Sequence, residues 1–275
     1  MRRVILTAFL ACLPAGLAAQ VAEPDSGLET LATADAARGW DAVGRIDIAS
    51  KAFCTGALIA PDLVLTAAHC LFNKDTGQPH PAQDFKFLAG WRNGSAIAYR
   101  GVRLAMAHPS YVYRGPENVD GVPYDLALLQ LDLPIRLASV SPFAIGPDPA
   151  MNDQVEVVSY AYDRAEAPSL QKSCHVIGPQ PGMTVFSCSV DFGSSGAPIF
   201  RVVDGVPEIV SVVSAKAEVD GELVSLGAQM NLPLDELRAA FGQGQAVMPV
   251  GTLATGRLPQ VGGAASSGGA KFLTP

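Results

Sequence analysis

Charge is scarce in this sequence. Only 16% of the 275 residues are Asp, Glu, Lys or Arg, and acids outnumber bases by 26 to 19. Nucleic-acid binding needs clustered Lys and Arg to neutralise phosphates, so this balance argues against such a partner. Long apolar runs are absent after the first twenty residues, so no later stretch is expected to span a membrane. The cysteines lack the tight CxxC-like spacing of a structural zinc site, and no metal or other cofactor is expected.

What is present begins with MRRVILTAFLACLPAGLAAQ. Arg2 and Arg3 form a basic start, Val4–Leu17 an apolar stretch, and Ala18-Ala19 a small-residue cleavage zone. The apolar stretch is short for a bilayer helix and contains Pro14 and Gly16, so residues 1–19 read as a cleaved secretory signal. The expected location is secreted or periplasmic, with no membrane attachment after cleavage. Cys12 leaves with the leader, and Cys54, Cys70, Cys174 and Cys188 remain. An even count in an oxidising compartment favours two disulfides, and Cys54–Cys70 with Cys174–Cys188 closes the two shortest loops.

Residues 20–39 are acidic and Ala-rich and read as a pro-segment or a loosely held N-terminal arm, with Arg38 a possible cleavage point. From Ala42 short Val/Ile/Leu runs recur between Gly, Pro, Asn and Asp clusters, as in AVGRIDIA, FKFLAG, LALLQLDL, QVEVVSYAY and EIVSVVSAK. That rhythm predicts an all-β sandwich or barrel rather than a βαβ alternation. One helix is predicted over 233–242, PLDELRAAFG, with an early Pro and acids and a terminal Gly. Residues 243–275 turn to Gly, Ala, Pro and Ser without periodicity and read as a low-complexity tail.

Three stretches carry chemistry: FCTGALIAPDLVLTAAHC (53–70), YDLALLQLD (124–132) and VDFGSSGAPIF (190–200). A carboxylate at the head of an apolar strand is costly to bury unless a donor meets it. An imidazole N–H is a suitable donor, and an imidazole so oriented can take a proton from a serine hydroxyl. TAAHC, DLALLQL and GSSGAP, in that order, resemble the histidine, aspartate and GDSGGP motifs of the trypsin/chymotrypsin-type serine proteases, in their bacterial secreted branch. The similarity runs from about residue 40 to 242. The hydrolase elbow G-x-S-x-G does not fit, because Ala197 stands where its second Gly belongs.

The resemblance implies two antiparallel β-barrels, over 40–140 and 141–242, with a short C-terminal helix and the site between them. It implies a serine endopeptidase acting on proteins or peptides, with Ser195 as nucleophile, His69 as base then acid, and Asp125 fixing the imidazole. Gly193 and Ser195 would supply the oxyanion-hole amides. Cys54–Cys70 would staple the histidine loop and Cys174–Cys188 the loop before the nucleophile. Ser189 would lie at the base of the primary pocket, with Ser214, Ala215 and Lys216 on one wall and Gly227-Ala228 near another. Asp120 or Asp132 could substitute for Asp125, and Ser194 for Ser195. His80 and His175 read as surface residues, and His108 as a structural His-Pro.

The sequence also departs from the family pattern. Ser194 stands where animal relatives carry the aspartate that pairs with a newly cut N-terminal amine, so activation by a buried terminus is not expected. Ser189 lacks the acid of a trypsin-like pocket, and Val213 stands where acid-specific bacterial relatives use histidine. Asp191 and Lys216 replace a cysteine and a glycine. They either pair across the pocket or leave Lys216 to attract an acidic side chain, and the default preference is small or apolar. The reading from another class is a non-catalytic binding or chaperone-like protein on the same scaffold.

Overall fold

A computed structural model of the chain describes residues 27–115, 118–219, 221–243 and 271–272. The expected leader, the start of the N-terminal arm and most of the 243–275 tail lie outside the described residues. Leu28–Thr30 (β1) comes first. Six strands follow: Val43–Ile48 (β2), Ala52–Ala60 (β3), Leu63–Thr66 (β4), Phe85–Ala89 (β5), Ala98–Ala107 (β6) and Ala127–Leu131 (β7). They close into an antiparallel barrel in the order β2-β3-β4-β7-β6-β5, with β5 pairing back onto β2.

The second half supplies Ala144–Ile145 (β8), Gln154–Ser159 (β9), Ser169–Gln180 (β10), Met183–Phe186 (β11), Pro198–Val203 (β12), Val206–Val219 (β13) and Glu222–Ala228 (β14). Because β9 pairs with both β10 and β12, the ring β9-β10-β11-β14-β13-β12 also closes with six strands. The expected helix is present as Asn231–Gly242 (α1), and Lys271–Phe272 forms a last short strand, β15. Among the described residues no helix is long and apolar enough to cross a membrane.

Period-two alternation explains these barrels: every second side chain turns inward. Ile46, Leu58, Val64, Phe85 and Phe87 share one face of the first barrel's strands, Val43, Ala57 and Leu65 share the other, and both faces are buried; Val155, Val157, Val176, Phe186, Ile199 and Val210 form a buried core in the second barrel. Closure leaves few free sheet edges. The barrels meet over an aromatic cluster in which Phe200 lies 5.0 Å from Trp40 and 4.7 Å from Phe143, ring centre to ring centre.

The described part of the N-terminal arm is not loosely held. β1 pairs with β10 from Leu28↔Gln171 to Thr30↔Ser169, Leu31 is fully buried, and its N–H donates to the Pro168 carbonyl at 2.8 Å. Two apolar side chains, Leu31 and Ala37, are enough to seat the arm although its sequence has no periodic pattern. Arg38 stays exposed in an ion pair with Asp35. Residues 27–39 are thus an integral part of the second barrel's outer face.

Phe200 is the side chain that both barrels bury. Phe200→Ala is expected to cost about 3–5 kcal/mol, read as a lower midpoint in urea denaturation with little change in slope.

Candidate active site

Strand pairing brings the first two site residues together. Thr66, the last residue of β4, pairs with Ala127, the first of β7. The chain beyond Thr66 and the chain before Ala127 therefore leave the barrel side by side. Ala67 and Ala68 are fully buried, and the 3₁₀ turn Ala68–Leu71 then presents His69 at the barrel mouth. A second 3₁₀ turn, Val119–Tyr124, delivers Asp125. The Cys54–Cys70 disulfide ties the His69 turn to β3, and Cys174–Cys188 is formed as well.

Asp125 is buried and receives three donors. The His69 backbone N–H reaches Oδ1 at 2.7 Å, the ring Nδ1 reaches Oδ2 at 2.7 Å, and the Ser214 hydroxyl donates to Oδ2. These bonds offset the cost of burying a carboxylate. They also assign the proton on the imidazole: Nδ1 carries it, and Nε2 keeps its lone pair. Burial disfavours the His69 imidazolium, but the charge and hydrogen bond of Asp125 outweigh it and hold the pKa above the ordinary histidine value. The sulfurs of Cys54 and Cys70 lie close to His69, but they are bonded to each other, so the histidine alone is available as a ligand.

The loop before β12 has a different logic. Gly193 and Gly196 hold φ of +97° and +78°, which L side chains rarely adopt. A Cβ on Gly193 would collide with the Phe53 ring, and one on Gly196 with Thr66 Oγ1 and the Thr55 carbonyl. The turn places Ser194 N–H on the Asp191 carbonyl and Gly196 N–H on the Val213 carbonyl, both at 2.8 Å. The amides of Gly193 and Ser195 donate to no protein acceptor among the described residues. Two free N–H groups flanking a serine are what a developing oxyanion needs.

His69, Asp125, Gly193, Ser195, Ser214, Ala215 and Lys216 all line one cleft of about 620 Å³. Ser189 does not line it; its N–H donates to the Gln171 side chain at 2.8 Å, and Val190, Asp191 and Phe192 face the cleft instead. Lys216 Nζ lies 2.8 Å from Asp191 Oδ1 and 4.0 Å from the centre of the Phe192 ring, so Lys216 and Asp191 do pair. Burial opposes ionisation of Asp191, but the Lys216 hydrogen bond, the Phe192 N–H and nearby cations keep its pKa below the usual range.

The rival assignments fall elsewhere. Ser194 is fully buried and its hydroxyl donates to the Tyr160 carbonyl at 3.2 Å. Asp120 and Asp132 are exposed. His108 is buried 3.2 Å from Glu236 of α1 and stacks on Tyr124. His175 is exposed and bonded to Ser187, whereas His80 lines the cleft beside Asp84.

Two residues of the site carry no sequence motif. Thr55 on β3 joins the barrels: its N–H donates to the Ser195 carbonyl at 2.8 Å, its hydroxyl donates to the Gly193 carbonyl at 2.9 Å, and it accepts from Tyr160 N–H at 3.1 Å. Arg164 lies under the Ser195 loop, donating to the Ser159 carbonyl at 2.7 Å and to Ser194 Oγ at 3.3 Å. A guanidinium thus meets the buried Ser194 hydroxyl. Burial lowers the Arg164 pKa, yet an arginine remains cationic. A threonine inside an otherwise apolar strand is the signal that could have flagged Thr55. No local pattern marks Arg164.

Thr55→Val keeps the shape of the side chain but strands the Gly193 carbonyl and the Tyr160 N–H. The expected loss of stability is about 1–3 kcal/mol, measured by chemical denaturation.

Comparison with known proteins agrees with this geometry. A structure of a Glu endopeptidase in complex with MPD superposes with a TM-score of 0.64 at 19% identity, covering 80% of this chain and 99% of that one. That likeness is one of fold. The modular serine protease of Drosophila melanogaster is 38% identical over 93 residues, which are 32% of this chain and 14% of that protein. Residues 54–207, from the first disulfide cysteine through the nucleophile loop, match the trypsin-like peptidase domain family, and the chain belongs to that family.

Proposed function

We propose that the protein is an exported serine endopeptidase that cleaves protein or peptide substrates without a metal or cofactor. The carrying observation is the buried Asp125 carboxylate, bonded to both His69 and Ser214, in a cleft that also holds Ser195 and two unengaged amides. In this reading Ser195 Oγ attacks the scissile carbonyl carbon while His69 Nε2 takes its proton. The carbonyl π electrons move to oxygen, and the N–H groups of Gly193 and Ser195 receive that oxyanion. As the tetrahedral centre collapses, the C–N bond breaks and the leaving amine takes the proton from His69. Water then repeats the sequence on the acyl-enzyme and regenerates Ser195. Asp125 holds the ring in place and stabilises the transient imidazolium.

The primary pocket is assigned to small or apolar side chains. Lys216 could recruit an acidic side chain only by giving up Asp191, and a basic side chain finds no unpaired acid at Ser189. Two disulfides suit an oxidising compartment, consistent with export to the periplasm or medium.

Labelling with a fluorophosphonate probe tests the catalytic assignment. The wild type and Ser194→Ala are expected to label stoichiometrically, and Ser195→Ala not at all. A folded protein that does not label would contradict the assignment and favour a binding role for the scaffold.

A further inference from the structure

Strand β13 changes partners along its length. β12 pairs with it from Val206 to Val212, and β14 pairs with its opposite edge from Val212 to Val219. Past Val212 the β12 side is continued only by Gly196 and Ala197, through Gly196 N–H to the Val213 carbonyl and Val213 N–H to the Ala197 carbonyl. The next three positions, Ser214, Ala215 and Lys216, line the cleft. Beyond them, on that same side, β15 is seated antiparallel, with Phe272 opposite Ala217 and Lys271 opposite Glu218.

Direction gives this pairing its meaning. Running from Lys271 to Phe272, β15 moves along β13 from Glu218 toward Ser214, and hence toward Ser195. Only Ser214, Ala215 and Lys216 separate it from the backbone beside the nucleophile, about 10 Å at the usual strand rise. An extended peptide presenting a carbonyl to Ser195 from this side would use the same edge in the same direction.

We propose that the segment containing Lys271–Phe272 is a built-in occupant of this edge and competes there with substrate. The proposal rests on the protease reading above. Backbone hydrogen bonding supplies recognition, as in strand addition generally, so little is demanded of the segment's side chains. Attachment makes the docking intramolecular: 27 residues lie between Gln243 and Lys271, so no second molecule has to be recruited. Charge acts in the same sense. Residues 244–275 contain Arg257 and Lys271 and no acid, while the whole chain carries −7.

The test is the full chain carrying Lys271→Pro and Phe272→Pro, since proline offers no N–H to a ladder. For a peptide substrate extended upstream of the scissile bond, KM is expected to fall roughly threefold to tenfold, with kcat unchanged. The free peptide GGAKFLTP should inhibit this variant competitively. In a fluorescein-labelled form, read by anisotropy, it should bind the variant more tightly than the wild type. An unchanged KM together with no peptide binding, in protein whose Ser195 still labels, overturns the proposal. Loss of Ser195 labelling in the wild type overturns the protease reading instead, while the anisotropy measurement still decides the docking.

Discussion

The architecture depends on satisfying one buried carboxylate. Asp125 draws two of its donors from the first barrel, the amide and ring of His69, and the third from Ser214 on a strand of the second. Removing any donor would leave part of that charge unsatisfied, so each barrel is needed to make the other's contribution affordable. The same bonds determine which imidazole nitrogen carries the proton. Charge burial, barrel docking and the tautomer of His69 are therefore a single constraint.

The Ser195 loop is held by the same sharing. Thr55 reaches from β3 to the carbonyls of Gly193 and Ser195, and the positive φ of Gly196 lets the loop press against Thr55 and Thr66 without a side chain between them. Below the loop, Arg164 donates to the Ser159 carbonyl and to the Ser194 hydroxyl. The loop is thus organised by groups internal to the chain. Lys216, Asp191 and the β13 edge converge at the cleft.

Much of this was legible in the sequence because it is carried by short-range pattern. Alternating apolar residues revealed most barrel strands, and TAAHC, DLALLQL and GSSGAP revealed the residues that the fold gathers into one cleft. β10 was not legible: SLQKSCHVIGPQ is exposed at many positions and its register shifts twice, so its period breaks up. The seating of the N-terminal arm was not legible because it rests on strand pairing with β10 and on two isolated side chains, Leu31 and Ala37. Arg164 and Thr55 act across 30 and 138 residues of sequence, and such partners are set only by topology. For the same reason the pairing of Asp191 with Lys216, 25 residues apart, stayed open until the fold closed the distance.

The most direct test of the central constraint is an NMR titration of His69 in the wild type and in Asp125→Asn. The wild type should show a hydrogen-bonded Nδ1 proton and an imidazole that titrates above the ordinary histidine value of 6.5, because Asp125 outweighs the effect of burial. In Asp125→Asn burial is no longer opposed by a negative charge, and the titration should move to lower pH. A His69 that titrates at or below 6.5 in the wild type, unmoved by Asp125→Asn, would contradict the account.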